Sequence, residues 1–155
     1  MTQLASLLRF LQLFAHAAHH LAHGCSFFED HKFLGKLYGE YEEAFDSLVE
    51  RLIGLGELEG VKDRLAIDSK AASILSKTES ETLADPEDWF ELLLEMEQEL
   101  CGKIDKLAEG KISQGTLNLL AGLADASEQR QYKIGQRIKP CCSDNSDEEE
   151  IERAY

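Results

Sequence analysis

The 155-residue chain has little proline, no long apolar run and no run of β-branched residues. Its only prolines are Pro86 and Pro140, while leucine and alanine are plentiful, which predicts an all-α fold. No apolar stretch reaches the roughly 20 residues of a membrane-spanning helix, so no membrane association is expected. The N-terminus lacks a basic segment before its apolar residues, so we expect no secretory signal.

Cysteine is also scarce, and its spacing is uninformative about metals. Cys25, Cys101, Cys141 and Cys142 form no Cys-x-x-Cys pair. Such cysteines are typical of reduced thiols rather than of a disulfide framework, which favours a cytoplasmic location.

Basic residues are outnumbered by acidic ones, 16 against 30, which gives a net charge of −14. A chain of this sign repels a phosphate backbone, so DNA binding is not expected. The same charge attracts cations, and it therefore suits a protein that gathers metal ions.

Apolar residues recur every three or four positions over four long segments, which predicts four amphipathic helices. The helices are expected at about residues 2–23, 28–55, 86–109 and 113–138. Thr2 is a candidate N-cap, Gly24 a candidate C-terminal residue, and Asp85 followed by Pro86 is a strong helix start. The prediction is a four-helix bundle over residues 1–139.

The connection between the second and third helices is long enough to cross the bundle. It is expected to hold a short helix that begins at Asp68 or Ser69, followed by a loop over residues 78–85. Residues 140–155 follow Pro140, are acidic and lack core residues, so we expect this tail to be disordered.

Four residues have the composition and spacing of a metal centre. His19 and His31 lie six positions either side of Cys25, inside a predicted turn, so antiparallel helices bring the two imidazoles to the same height. Asp46 and Glu50 are four positions apart and share one face of the second helix. Two imidazoles and two carboxylates suit iron, and also manganese or zinc.

These four residues cannot meet around one ion within one chain. Asp46 follows His31 by fifteen positions, which a continuous helix converts into about 22 Å. A two-fold axis near Tyr38 or Gly39 pairs the helix with an antiparallel copy and brings His31 of one subunit to Asp46 of the other. We therefore predict two equivalent metal sites shared between subunits.

Residues 19–56 resemble the Dps-type miniferritins of the ferritin superfamily. The similarity consists of His19, a glycine five positions later, a phenylalanine, His31, the D-x-x-x-E-R run that begins at Asp46, and the L-x-G ending. A weaker match covers residues 115–120, and the similarity in helix order extends over about residues 2–138.

The resemblance implies a ferritin-like four-helix bundle and a hollow shell of twelve subunits built from two-fold dimers. It implies ferroxidase centres at the dimer interfaces, with His19 and His31 from one subunit and Asp46 and Glu50 from its mate. Such proteins oxidise Fe(II), usually with hydrogen peroxide in preference to oxygen, and store a ferric mineral.

The chain departs from the family pattern at three places. Gly35 stands where the family often has an acidic residue, His20 stands where it usually has tryptophan, and no basic terminal arm is present. The loss of a carboxylate at Gly35 keeps an alternative open, namely a ferritin-like oligomer that binds metal or is structural without turnover. The missing arm argues against DNA compaction.

Overall fold

The computed structural model describes residues 1–76, 83 and 85–139, and all regular structure in these residues is helical. Five helices follow one another along the chain: α1 (Thr2–Leu21), α2 (Phe27–Gly54), α3 (Val61–Leu75), α4 (Pro86–Ala108) and α5 (Gln114–Ile138). None of these helices is both long enough and apolar enough to cross a membrane. The all-α prediction is confirmed.

The four long helices enclose one core of leucine and aromatic side chains. α1 packs mainly on α2, and α4 packs mainly on α5. The largest side chains with almost no exposed surface come from three of these helices: Phe10 of α1, Tyr41 and Phe45 of α2, and Phe90 of α4.

Contacts between α2 and α4 show that these two helices run in the same direction. Phe33 lies 6.0 Å from Phe90 between ring centroids, and further along both helices Tyr41 reaches Glu97. Parallel neighbours cannot be joined by a tight turn, so the chain crosses the bundle between them. α3 lies in this crossover and packs on α1, and the predicted bundle with one crossover is confirmed.

The short helix begins well before the predicted position. Its N-cap is Gly60, so Asp68 and Ser69 lie within the helix and the prediction of a cap there was wrong. The reason is a tertiary contact, because the Asp68 carboxylate binds Arg9 of α1 at 3.1 Å and Arg64 at 2.7 Å. The side chain is therefore committed to ion pairs rather than to backbone N–H groups.

The ends of the four long helices differ from the predicted ones by at most two residues. α1 ends at Leu21, two residues before the predicted end, because Ala22 is extended and Gly24 has a φ of +83°. The N-cap of α1 is Met1, not Thr2. At α4 the prediction is confirmed, since the Asp85 N–H donates to the Asp88 carboxylate at 3.1 Å in a capping box.

Two predictions concern parts of the chain that the structure leaves undescribed. The predicted loop over residues 78–85 lies outside the described residues apart from Leu83 and Asp85. The acidic tail, residues 140–155, also lies outside them, and with it Cys141 and Cys142. Its predicted disorder remains a prediction.

A buried ion pair joins α4 and α5 at the centre of the bundle. Glu97 is 0% exposed and Arg130 is 3% exposed, and the Arg130 Nε donates to one oxygen of Glu97 while its Nη2 donates to the other at 3.3 Å. The Tyr41 hydroxyl donates to Glu97 at 2.6 Å, and the Ser127 hydroxyl donates to it from α5. Both oxygens of the Glu97 carboxylate are thus bound by protein side chains.

We predict that Glu97→Ala lowers the free energy of unfolding by about 3–5 kcal/mol, because it leaves the Arg130 guanidinium buried without its carboxylate. Urea unfolding at fixed protein concentration measures the loss. Glu99→Ala is the matched control on the same helix, since Glu99 is exposed and forms an ion pair with Lys103 at 2.9 Å. The control should lower the free energy of unfolding by less than about 1 kcal/mol. Equal losses in the two variants would contradict the stabilising role of the buried ion pair.

Candidate metal centre

His19 and His31 are brought together where α1 ends and α2 begins. The turn at residues 22–26 reverses the chain, so the two helices run antiparallel and the two half-buried side chains meet at the same height. Their rings stack with centroids 3.8 Å apart and an interplanar angle of 26°. The structure thus assembles the imidazole half of the predicted ligand set within one chain.

Two reciprocal hydrogen bonds hold the stacked pair. His19 Nδ1 lies 2.8 Å from the carbonyl oxygen of His31, and His31 Nδ1 lies 2.9 Å from the carbonyl oxygen of His19. Because a carbonyl oxygen only accepts, each Nδ1 must carry its proton and donate it. In the neutral imidazoles this leaves both Nε2 atoms with a free lone pair. Metal-binding histidines are commonly oriented by this kind of bond through their second nitrogen.

Gly35 of α2 packs against the His19 ring. A Cβ atom at this position would lie 3.2 Å from both Cε1 and Nδ1 of His19. Such a distance is tighter than ordinary van der Waals contact, so a side chain at residue 35 would require the His19 imidazole to shift by a few tenths of an ångström. The absence of a side chain at Gly35 therefore allows the stacked arrangement.

Asp46 and Glu50 lie on the opposite half of α2, and both are exposed. Because α2 is an unbroken helix, these carboxylates remain about 22 Å and more from His31 along its axis. Within the described part of the chain, no three His, Cys, Asp or Glu side chains converge as a metal site. A single chain thus supplies the two imidazoles and the two carboxylates at separate places.

The interior of the bundle offers no vacant ligands among the described residues. Its buried carboxylates are Glu97, which is bound as described above, and Asp30, which Arg137 binds with two hydrogen bonds of 2.8 Å. Metal centres inside four-helix bundles typically use Glu-x-x-His motifs, and this sequence contains none. The stacked histidines near the surface are therefore the better candidate.

Further aromatic side chains border the stacked pair. His16 lies 4.5 Å from His20 and 4.4 Å from Tyr38 between ring centroids, and His20 lies 5.5 Å from His19. His23 stands apart, because its ring faces Trp89 at 6.0 Å. Of the three histidines outside the predicted ligand set, His16 and His20 thus lie beside the stacked pair and His23 lies apart from it.

Sequence reasoning missed two features that matter here. The Glu97–Arg130 pair had a partial signal, because Glu97 and Ser127 occupy core-facing positions in otherwise apolar helix stripes. No sequence signal indicated the carbonyl groups that orient His19 and His31. Main-chain atoms have no residue-specific pattern, and the geometry of the turn decides whether these carbonyl groups reach the imidazoles.

A comparison with protein-family models finds that the model described as Ferritin-like domain matches residues 2–139. No curated protein matches the chain. The matched segment contains all of α1 to α5, and with them His19, His31, Asp46 and Glu50.

We predict that Gly35→Ala weakens Zn²⁺ binding by about tenfold, because the added methyl group displaces the His19 ring. Isothermal titration calorimetry at pH 8 measures the affinity. Gly135→Ala in α5 is the matched control, since no atom lies within 4 Å of its added Cβ. The control should keep native affinity and gain about 0.5–1 kcal/mol of stability. Native affinity in Gly35→Ala would contradict the packing argument.

Proposed function

The chain belongs to the Ferritin-like domain family, and we propose that it is an iron-storage ferroxidase whose metal centres are shared between two subunits. The observation that carries the proposal is the stacked pair of His19 and His31. Along the same continuous helix, Asp46 lies about 22 Å and Glu50 about 28 Å from His31. An antiparallel copy of α2 completes the ligand set at each end.

One face of α2 has the properties that such a pairing requires. Its residues recur at steps of three and four, and most are exposed in the single chain. Gly39 lies near the centre, and among the described residues no neighbour outside its own turn fills the space where its Cβ would be, so a second helix can approach closely there. Phe28 and Ile53 lie near the two ends and are 78% and 57% exposed, which suits burial against a partner. The face comprises Phe28, Lys32, Gly35, Gly39, Glu42, Asp46, Glu50 and Ile53.

The proposed two-fold axis lies between Tyr38 and Gly39, midway between His31 and Asp46. An antiparallel pair of α2 helices in this register is isologous, so the same contacts occur twice and create two identical centres. Lys32 of one subunit then lies near Asp46 of the other, which pairs opposite charges. By resemblance to Dps-type miniferritins, we propose that six such dimers form a hollow shell of twelve subunits.

The ligand chemistry supports iron as the substrate. Imidazole nitrogen and carboxylate oxygen both bind Fe(II), and a four-ligand set leaves coordination positions open to an oxidant. The carboxylates of Asp46 and Glu50 offset the additional positive charge of Fe(III). Two Fe(II) ions and one hydrogen peroxide give two Fe(III) ions and two hydroxide ions, which removes both reactants of hydroxyl-radical formation. The net charge of −14 favours retention of the ferric product.

We predict that two inactive variants regain activity when their subunits are mixed. His19→Ala/His31→Ala lacks the imidazoles, and Asp46→Ala/Glu50→Ala lacks the carboxylates, so each alone should oxidise Fe(II) at the rate of buffer. In a random 1:1 mixed assembly, about a quarter of the centres combine intact halves from two subunits. Ferric absorbance in the near ultraviolet, followed with peroxide under argon and separately with oxygen, measures the rate.

Glu91→Ala/Glu95→Ala is the matched control, because it removes two exposed carboxylates of the same spacing from α4. It should oxidise Fe(II) at the native rate. Mixed assemblies that stay as slow as their parents, beside an active native protein, would disprove a shared centre. A native protein no faster than buffer would instead favour an oligomer that binds metal, or is structural, without turnover.

A further inference from the structure

We infer that His16 and His20 hold a second divalent transition-metal ion beside the His19–His31 pair. The inference deepens the proposed function, because it supplies the same centre with a neighbouring position for the second Fe(II) ion. It depends on side chains of α1 alone, so it can be tested separately from the shared carboxylates.

The first argument is the geometry of the two rings. His16 and His20 are four positions apart on α1, the spacing at which helical histidines bind one metal ion together. Their centroids lie 4.5 Å apart with an interplanar angle of 49°. Two imidazoles that bind one ion side by side, with metal–nitrogen bonds of about 2.1 Å, hold their centroids about 4.5–5 Å apart. The rings thus already have the separation that a shared ion requires.

The second argument is the position of the pair. His20 lies 5.5 Å from His19, and His16 lies 6.5 Å from it, so the second pair is directly beside the first. The ring centroid of Tyr38 in α2 lies 4.4 Å from that of His16 and 5.6 Å from that of His19. Tyr38 therefore contacts one histidine of each pair. Both His16 and His20 are exposed, which leaves them accessible to an ion from solution.

The third argument concerns the kind of metal. The two imidazoles are neutral nitrogen donors, and no carboxylate of the described chain converges on them as a third ligand. Such a pair favours Fe(II), Co²⁺ or Zn²⁺ over the oxygen-seeking Mg²⁺ and Ca²⁺. Two adjacent Fe(II) ions together supply the two electrons that reduction of one hydrogen peroxide consumes, each ion losing one.

Equilibrium dialysis of the assembled protein against Co²⁺ at pH 8 tests the inference. The native protein should bind two ions per chain, and His16→Gln/His20→Gln should bind one. His23→Gln is the matched control, because His23 lies on the same segment but faces Trp89 and its Nδ1 is 2.9 Å from the Leu21 carbonyl oxygen. The His23→Gln control should bind two Co²⁺ ions per chain. In the native protein, Co²⁺ should also give contact-shifted imidazole resonances, which arise only from ligating rings, from four histidines rather than two, a readout that needs no variant.

The possible results separate the two proposals. One ion per chain in both the native protein and His16→Gln/His20→Gln, with contact-shifted imidazole resonances from two histidines only, would overturn the inference and leave the shared centre intact. No bound Co²⁺ in the native protein would overturn both. Loss of both ions in His16→Gln/His20→Gln, beside contact-shifted resonances from only His19 and His31 in the native protein, would also overturn the inference.

Discussion

The continuity of α2 is the constraint on which the rest of this account depends. One unbroken helix carries His31 near its start and Asp46 and Glu50 towards its end, and its fixed rise places Asp46 about 22 Å and Glu50 about 28 Å from His31 along the axis. The turn before it brings His19 onto His31 with both Nδ1 atoms bound to carbonyl oxygens. In the function we propose, folding of one chain completes one half of a centre, and assembly supplies the other.

The interior of the bundle explains why the candidate centre lies elsewhere. Glu97 occupies the middle of the four helices, but Arg130, Tyr41 and Ser127 bind its carboxylate. Burial raises the pKa of Tyr41 well above its ordinary value, and the neighbouring Glu97 carboxylate raises this pKa further. Tyr41 therefore stays protonated and continues to donate its hydrogen bond. The central polar cluster joins helices, and the imidazoles of His19 and His31 lie near the surface where α1 meets α2.

Local sequence signals predicted much of the fold and the meeting of His19 with His31. Apolar periodicity located the four long helices, and Asp85 with Pro86 located the start of α4, because these signals act within a few residues. The cap at Asp68 was wrong because Arg9, 59 positions earlier, binds that carboxylate. Arg130 was missed for the same reason, since its pairing with Glu97 joins two helices. The meeting of His19 and His31 could be anticipated from their symmetry about a turn, but the orientation of their rings could not.

The most direct measurement is anomalous X-ray scattering from crystals of the assembled protein grown with Co²⁺. The account predicts density at the two-fold interface, bound by Nε2 of His19 and His31 from one subunit and by Asp46 and Glu50 from the other. Density inside the four-helix bundle near Glu97, or an ion bound by His19 and His31 without any ligand from the partner subunit, would contradict the shared centre.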